Sequence, residues 1–189
     1  ITSNFPAFFK TTAGIAINAY FFVALPEEIW KFLMLLWYAY RKKEFDEPFD
    51  GIVYAVMVGM GFATVENISY VSQYGLMTGI MRLFLAVPAH ASFAIIMGYF
   101  MGKARFSAQK QRFLLFFGVF WATVFHGSYD FFLFLQESHT TGTDNASLLL
   151  FLGAMVSLIT GIILSKKAIK EHLKLSVLQN TNEYNAKDN

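Results

Sequence analysis

Four acids, two histidines and a lysine are the residues of this sequence best suited to chemistry, and all of them fall inside apolar stretches. Glu27, Glu28 and Lys31 stand in LPEEIWK (Leu25–Lys31), between the apolar runs Ala13–Leu25 and Phe32–Tyr40. Glu66 with Asn67, then His90, then His126 with Asp130, occupy three later apolar runs. A charged side chain near the centre of a spanning helix costs roughly 2.5–3.5 kcal/mol even on a lenient insertion scale. Leucines at Glu27 and Glu28 would remove that cost, so the acids need a reason to be there.

Such a layer supports two hydrolytic schemes. In the first, glutamate and histidine jointly activate a water for attack on a carbonyl, and the second histidine helps stabilise the oxyanion. No cofactor is needed. In the second, Glu28, His90 and His126 hold zinc with an open position for the water. Glu27, Glu28, His90 and His126 are the catalytic candidates in either case, with Lys31, Glu66, Asn67 and Asp130 in support. Glu27 and Lys31 are i,i+4, as are His126 and Asp130, so each pair shares a helix face. Lys31 supplies a counter-charge for the acids, and Asp130 is placed to orient an imidazole. Other hydrolytic sites are excluded. The chain has no cysteine, no HExxH, no GxSxG and one clear membrane aspartate where an aspartyl dyad needs two.

The elements that position these residues follow from composition. Of 189 residues, 56% are hydrophobic, 18% aromatic and only 15% charged, against about 25% charged in soluble domains. The expected fold is an all-α, polytopic membrane helix bundle of about five segments. These are Ala13–Tyr40, Gly51–Val71, Met81–Met101, Phe113–Leu135 and Ala146–Leu164. The first is read as one helix kinked at Pro26 or as a re-entrant piece followed by a helix beginning there. Residues 1–175 are expected to form the membrane-embedded domain, with Lys166–Gln179 as an amphipathic continuation in the headgroup region. Residues 176–189 read as a polar, disordered tail. The chain opens on Ile, so a preceding segment is expected.

Lysine and arginine gather at Arg41–Lys43, Lys103–Arg112 and Lys166–Lys174, while Ser72–Gly79 and Gln136–Asn145 contain none. The positive-inside rule makes the three basic regions cytoplasmic. Counting inward from them at 1.5 Å per residue puts Glu27, Glu28, His90 and His126 about 20–21 Å deep, Glu66 about 24 Å and Asp130 about 27 Å. Four segments thus place an acid or an imidazole in one thin layer, which argues for a shared polar cavity.

The same residues sit in four ordered motifs: LPEEIWK, FDGIVYAVMVGMGFATVENISY, RLFLAVPAHASFAIIMGYFMGKARFS and HGSYD. Together these resemble the PrsW family of intramembrane proteases, itself part of a wider group that includes CAAX prenyl endopeptidases. The resemblance runs from about Ala24 to Phe131. It implies a bacterial cell-membrane protease that makes the first cut in a membrane-anchored protein such as an anti-sigma factor. It also implies site roles for Glu27, Glu28 and Lys31, for Glu66, Asn67 and Tyr70, for His90, and for His126 with Asp130. The partners expected are the lipid bilayer and a membrane-anchored protein substrate, with no nucleic acid. The rival readings are a proton-coupled transporter or channel, which also uses buried carboxylates and histidines, and a scaffold that binds a membrane partner without catalysis.

Overall fold

A computed structural model describes residues 7–139 and 145–187. Among them every regular element is helical. After a short 3₁₀ turn (Ala7–Lys10), Thr11 caps α1 (Thr12–Ile17) by accepting from the Gly14 N–H at 3.1 Å. Helical backbone then continues without a break through a π-helical stretch (Asn18–Ala24), α2 (Leu25–Met34) and a second π-helical stretch (Leu35–Ala39). The expected discontinuity at Pro26 is therefore absorbed within one helical run. A proline ring crowds the carbonyl four residues back and offers no N–H. Here that carbonyl belongs to Phe22, inside the wide π turns, where the Leu25 N–H reaches back five residues to Tyr20. EExxK thus sits on one α-helical piece between two π segments, a feature that often marks functional sites.

Helix α3 (Pro48–Tyr74) starts with Pro48 in its first turn and a capping box between Glu47 and Asp50. It ends at Gly75, whose φ of +86° makes the sharp reversal into α4 (Leu76–Phe84). The connection expected at Ser72–Gly79 thus shrinks to one residue. Leu85 breaks the helix again before α5 (Ala86–Arg105), and α4 and α5 meet at 41°. Helices α6 (Gln111–His139) and α7 (Asn145–Lys187) complete the chain. Helix α7 runs as helix to Lys187, through the stretch that composition reads as a disordered tail.

This is a helical membrane protein. Large apolar side chains stand on its outside, including Phe21 and Phe22, Trp30 and Trp37, Val65 and Phe116, each at least 60% exposed. By length and apolarity, α3 and Ala146–Leu178 qualify as spans among the described residues, and the bent α4–α5 pair makes a third. That count is smaller than the five segments expected.

Helices α3 and α5 form the tightest seam. A Cβ on Gly98 would collide with the Gly51 carbonyl and Ala55, one on Gly102 with the Pro48 carbonyl, and one on Gly59 with Ala94. In lipid, where apolar surfaces gain little by mutual burial, such small residues let backbones approach and pack. A second core of Ala89, Phe93, Tyr129, Ala154 and Leu158 joins α5, α6 and α7 directly beside His126.

Candidate active site

The polar residues of four helices converge in one buried network. Glu28, Lys31, His90 and His126 are each no more than 4% exposed. The Lys31 ammonium donates to Glu28 Oε1 at 2.7 Å and more loosely to Glu27 Oε2 at 3.4 Å. On its far side it lies 3.1 Å from His90 Nδ1 and 4.4 Å from the centre of the Phe62 ring. A carboxylate can only accept and an ammonium can only donate. His90 Nδ1 therefore accepts from Lys31, and His90 Nε2–H donates to Glu66 Oε2 at 2.8 Å. Likewise His126 Nδ1–H donates to Glu28 Oε1 at 2.8 Å. Its other nitrogen, Nε2, faces Asp130 Oδ2 at 3.2 Å and Glu27 Oε2 at 3.9 Å.

The two glutamates of EExxK are consequently unalike. Glu28 is fully buried and bridges Lys31 to His126, with its Oε2 lacking a hydrogen-bond partner. Glu27 keeps a side chain 19% exposed and offers its carboxylate to the open side of His126. The imidazoles of His90 and His126 meet edge to face at 5.0 Å, and Phe93 stacks on His126 at 5.3 Å. Apolar packing therefore holds the rings on the faces that hydrogen bonds cannot reach.

His90, His126, Glu66, Arg82 and Asp130 line a cavity of about 1020 Å³. Its lining follows α6 from His126 to Ser138, a length of about 18 Å at 1.5 Å per residue. Arg82 is the member that sequence reasoning underrated, because its place near a segment end suggests an interfacial anchor. Instead it stacks on Tyr70, 3.7 Å from the ring centre, and pairs with Glu66 Oε2 at 2.7 Å. Glu66 Oε2 thus ties Arg82 to His90. The available signal was arginine, the costliest kind of residue to embed, seven positions after the turn residue Gly75. Asn67 goes elsewhere. It donates to the Gly79 carbonyl at 3.4 Å, tying α4 to α3 rather than entering the cluster.

The donor set fits a metal. One ligand atom each from Glu27, His90 and His126 lie within 4.8 Å of one another. Two imidazoles and a carboxylate make the three-ligand set of a catalytic zinc site with an open position. The carboxylate in this group is Glu27, not the Glu28 expected from sequence, because Lys31 and the His126 Nδ1–H already occupy Glu28. Glu28 and Glu66 each accept a hydrogen bond from one of the two imidazoles.

Fold and site together define a membrane-embedded helical protein with an internal glutamate–histidine centre. The chain matches the family described as PrsW family intramembrane metalloprotease over residues 1–169, and it belongs to that family. It is 42% identical over 125 residues to Protease PrsW of Geobacillus kaustophilus, covering 66% of this chain and 56% of that protein. To Protease PrsW of Bacillus subtilis it is 44% identical over 114 residues, covering 57% and 50%. To that of Clostridioides difficile it is 39% identical over 118 residues, covering 59% and 50%. The chain spans about half the length of the curated relatives it matches. No solved structure matches it.

Proposed function

We propose that this chain carries the peptidase centre of a bacterial intramembrane protease, hydrolysing a peptide bond of a membrane-anchored protein. The observation that carries the reading is the convergence of Glu27, His90 and His126 beside a cavity large enough for a peptide segment. Family membership and the protease names of the relatives support it.

In this reading Glu27, His90 and His126 hold the attacking water, and the exposed carboxylate of Glu27 accepts its proton. Glu28 fixes His126 through Nδ1 and so keeps Nε2 turned to the water. Glu66 orients His90 through Nε2, with Arg82 holding Glu66 in place, and His90 Nδ1 becomes free for the water when the Lys31 ammonium turns its protons to Glu27 and Glu28. Lys31 makes the buried Glu28 and the partly exposed Glu27 tolerable in the apolar interior. His126 also faces the tetrahedral intermediate, with Asp130 steering its ring. Glu27, His90 and His126 would hold a zinc ion, which supplies a more acidic bound water and polarises the scissile carbonyl.

The substrate class is an anti-sigma-factor-like membrane protein receiving its first cut, and residues 1–175 are the embedded domain. In this reading the basic stretches at Arg41–Lys43, Lys103–Arg112 and Lys166–Lys174 lie on the cytoplasmic side of the cell membrane, a placement supported by the positive-inside rule. Cleavage of a reconstituted membrane-anchored substrate tests the reading. Glu27→Gln, His90→Ala and His126→Ala are each expected to lose at least about 100-fold in rate, and full activity in all three overturns it. Metal analysis of the purified protein, with chelator sensitivity of cleavage, separates the zinc scheme from the metal-free one.

A further inference from the structure

A second concavity, sharing no lining residue with the catalytic cavity, lies between α5, α6 and α7. It is a groove of about 440 Å³ lined by Ile96, Phe100, Trp121, Phe125 and Leu164, with Tyr99, Lys167, Ala168 and Glu171 completing it. That volume falls within the roughly 300–1,000 Å³ common for ligand sites. Its chemistry is graded along its length. Ile96, Phe125 and Leu164 come from the middles of their helices. Tyr99, Trp121, Lys167 and Glu171 lie one to two turns nearer the basic ends, where α5 finishes at Arg105 and α6 starts at Gln111.

The polar end has one cation to spare. Lys103 donates to Glu171 Oε1 at 2.7 Å and to the Tyr99 hydroxyl at 2.6 Å, and that hydroxyl donates to Glu171 Oε2 at 2.9 Å. Both Glu171 oxygens are therefore engaged. Lys167, one turn earlier on α7 and exposed, has no carboxylate of a described residue within ion-pair distance. An ammonium left without an acid at the mouth of an apolar groove is complementary to an amphiphile with an anionic head and an alkyl chain. We infer that the groove between α5, α6 and α7 is a binding site for an anionic phospholipid, its phosphate on Lys167 and an acyl chain along Trp121, Phe125 and Leu164. The apolar length of the groove is what selects a lipid over a free phosphate ion. Because Phe125 adjoins His126, the bound chain packs against the helix that carries the catalytic histidine.

Trp121 is a built-in reporter. Trp30 and Trp37 are 61% and 60% exposed, so Trp30→Phe and Trp37→Phe leave Trp121 as the sole tryptophan with little lost packing. The protein is reconstituted in phosphatidylcholine containing a small, equal mole fraction of either brominated phosphatidylglycerol or brominated phosphatidylcholine, and Trp121 quenching is read. The inference expects stronger quenching by the brominated phosphatidylglycerol. In Lys167→Gln its apparent affinity falls about fivefold, the loss of one cation–headgroup contact. In Lys174→Gln, which removes an exposed lysine away from the groove, the preference stays. Soluble glycerol phosphate does not relieve the quenching. Equal quenching by the two lipids, or a preference that survives Lys167→Gln, overturns the proposal. So does equal loss in both lysine variants, which marks a diffuse surface charge, or relief by glycerol phosphate, which marks a headgroup-only site. Helical circular dichroism confirms that each variant is folded.

Discussion

Glu27 and Glu28 are chain neighbours with different surroundings, and substitution should separate them. Removing one partner of a buried, paired charge costs roughly 3–5 kcal/mol because the other is left uncompensated. Glu28→Ala strands the His126 Nδ1–H and leaves Lys31 with only its looser contacts to Glu27 and His90. It is expected to lower the thermal midpoint in detergent markedly and to abolish cleavage. Glu27→Gln leaves the Glu28–Lys31–His126 bridge intact, so cleavage falls while the midpoint moves little. A differential scanning measurement beside the cleavage assay checks the contrast, and equal destabilisation by both would contradict it. Glu66 allows a second test at this scale. Its carboxylate orients His90, and loss of a carboxylate behind a ligand histidine typically lowers metal affinity by about 10–100-fold. Glu66→Ala is expected to weaken zinc binding by that factor in a calorimetric titration, with Asn67→Ala, outside the cluster, leaving it unchanged.

At the level of elements, the α3–α5 seam sets how closely Glu66 and His90 can approach, because the two residues ride on those helices. Gly98→Val would push Cβ into the Gly51 carbonyl and Ala55, parting the backbones. Overpacking of this kind costs about 1–3 kcal/mol. Gly61, on the same helix α3 as Gly51, has nothing within 4 Å of an added Cβ. Gly61→Val is therefore expected to stay within about 0.5 kcal/mol of the parent. Thermal midpoints of the two variants test the seam, and Gly98→Val should also impair cleavage by lengthening the Glu66–His90 contact.

Sequence counting is strong on depth and weak on rotation, and the elements show why. Distance along a helix from a basic boundary scales simply with residue number, so Glu27, His90 and His126 could be assigned to one layer from spacing alone. Which way a residue points around the helix axis depends on packing and on local register. Two π-helical stretches alter that register on either side of EExxK. That is why the different settings of Glu28, buried between Lys31 and His126, and Glu27, partly open beside His126 Nε2, were not readable from sequence. The Arg82–Glu66 pair was hidden for a related reason. It depends on Gly75 and Leu85 turning α4 back against α3, where hydropathy shows a loop followed by one span.

Across the molecule, the two ends of the chain's long helices are fastened by polar contacts outside the site. His172 on α7 is fully buried and donates through Nδ1 to the Pro48 carbonyl at 2.8 Å, while Ser176 Oγ accepts from the Phe49 N–H at 3.4 Å. His172 lies in the stretch read from sequence as an amphipathic continuation, where a histidine is ordinarily exposed, and nothing in its spacing marks it as buried. His172→Ala removes this interhelical hydrogen bond while the Pro48 carbonyl keeps its place in the α3 ladder, a loss of about 0.5–1.5 kcal/mol. Hydrogen exchange should rise around Phe49 and across Glu171–Val177, with exchange near His90 and His126 unchanged. A uniform rise across all helices would show instead that this clamp stabilises the whole bundle.

The network around Lys31 also sets an electrical balance. Four carboxylates, Glu27, Glu28, Glu66 and Asp130, surround the two imidazoles, and two permanent cations, Lys31 and Arg82, stand among them. The acids outnumber those cations, in surroundings that penalise unbalanced charge. A bound divalent cation would offset that excess of acid. Stability and metal loading should therefore rise and fall together, and stripping the metal should lower the thermal midpoint even in a variant that cannot cleave.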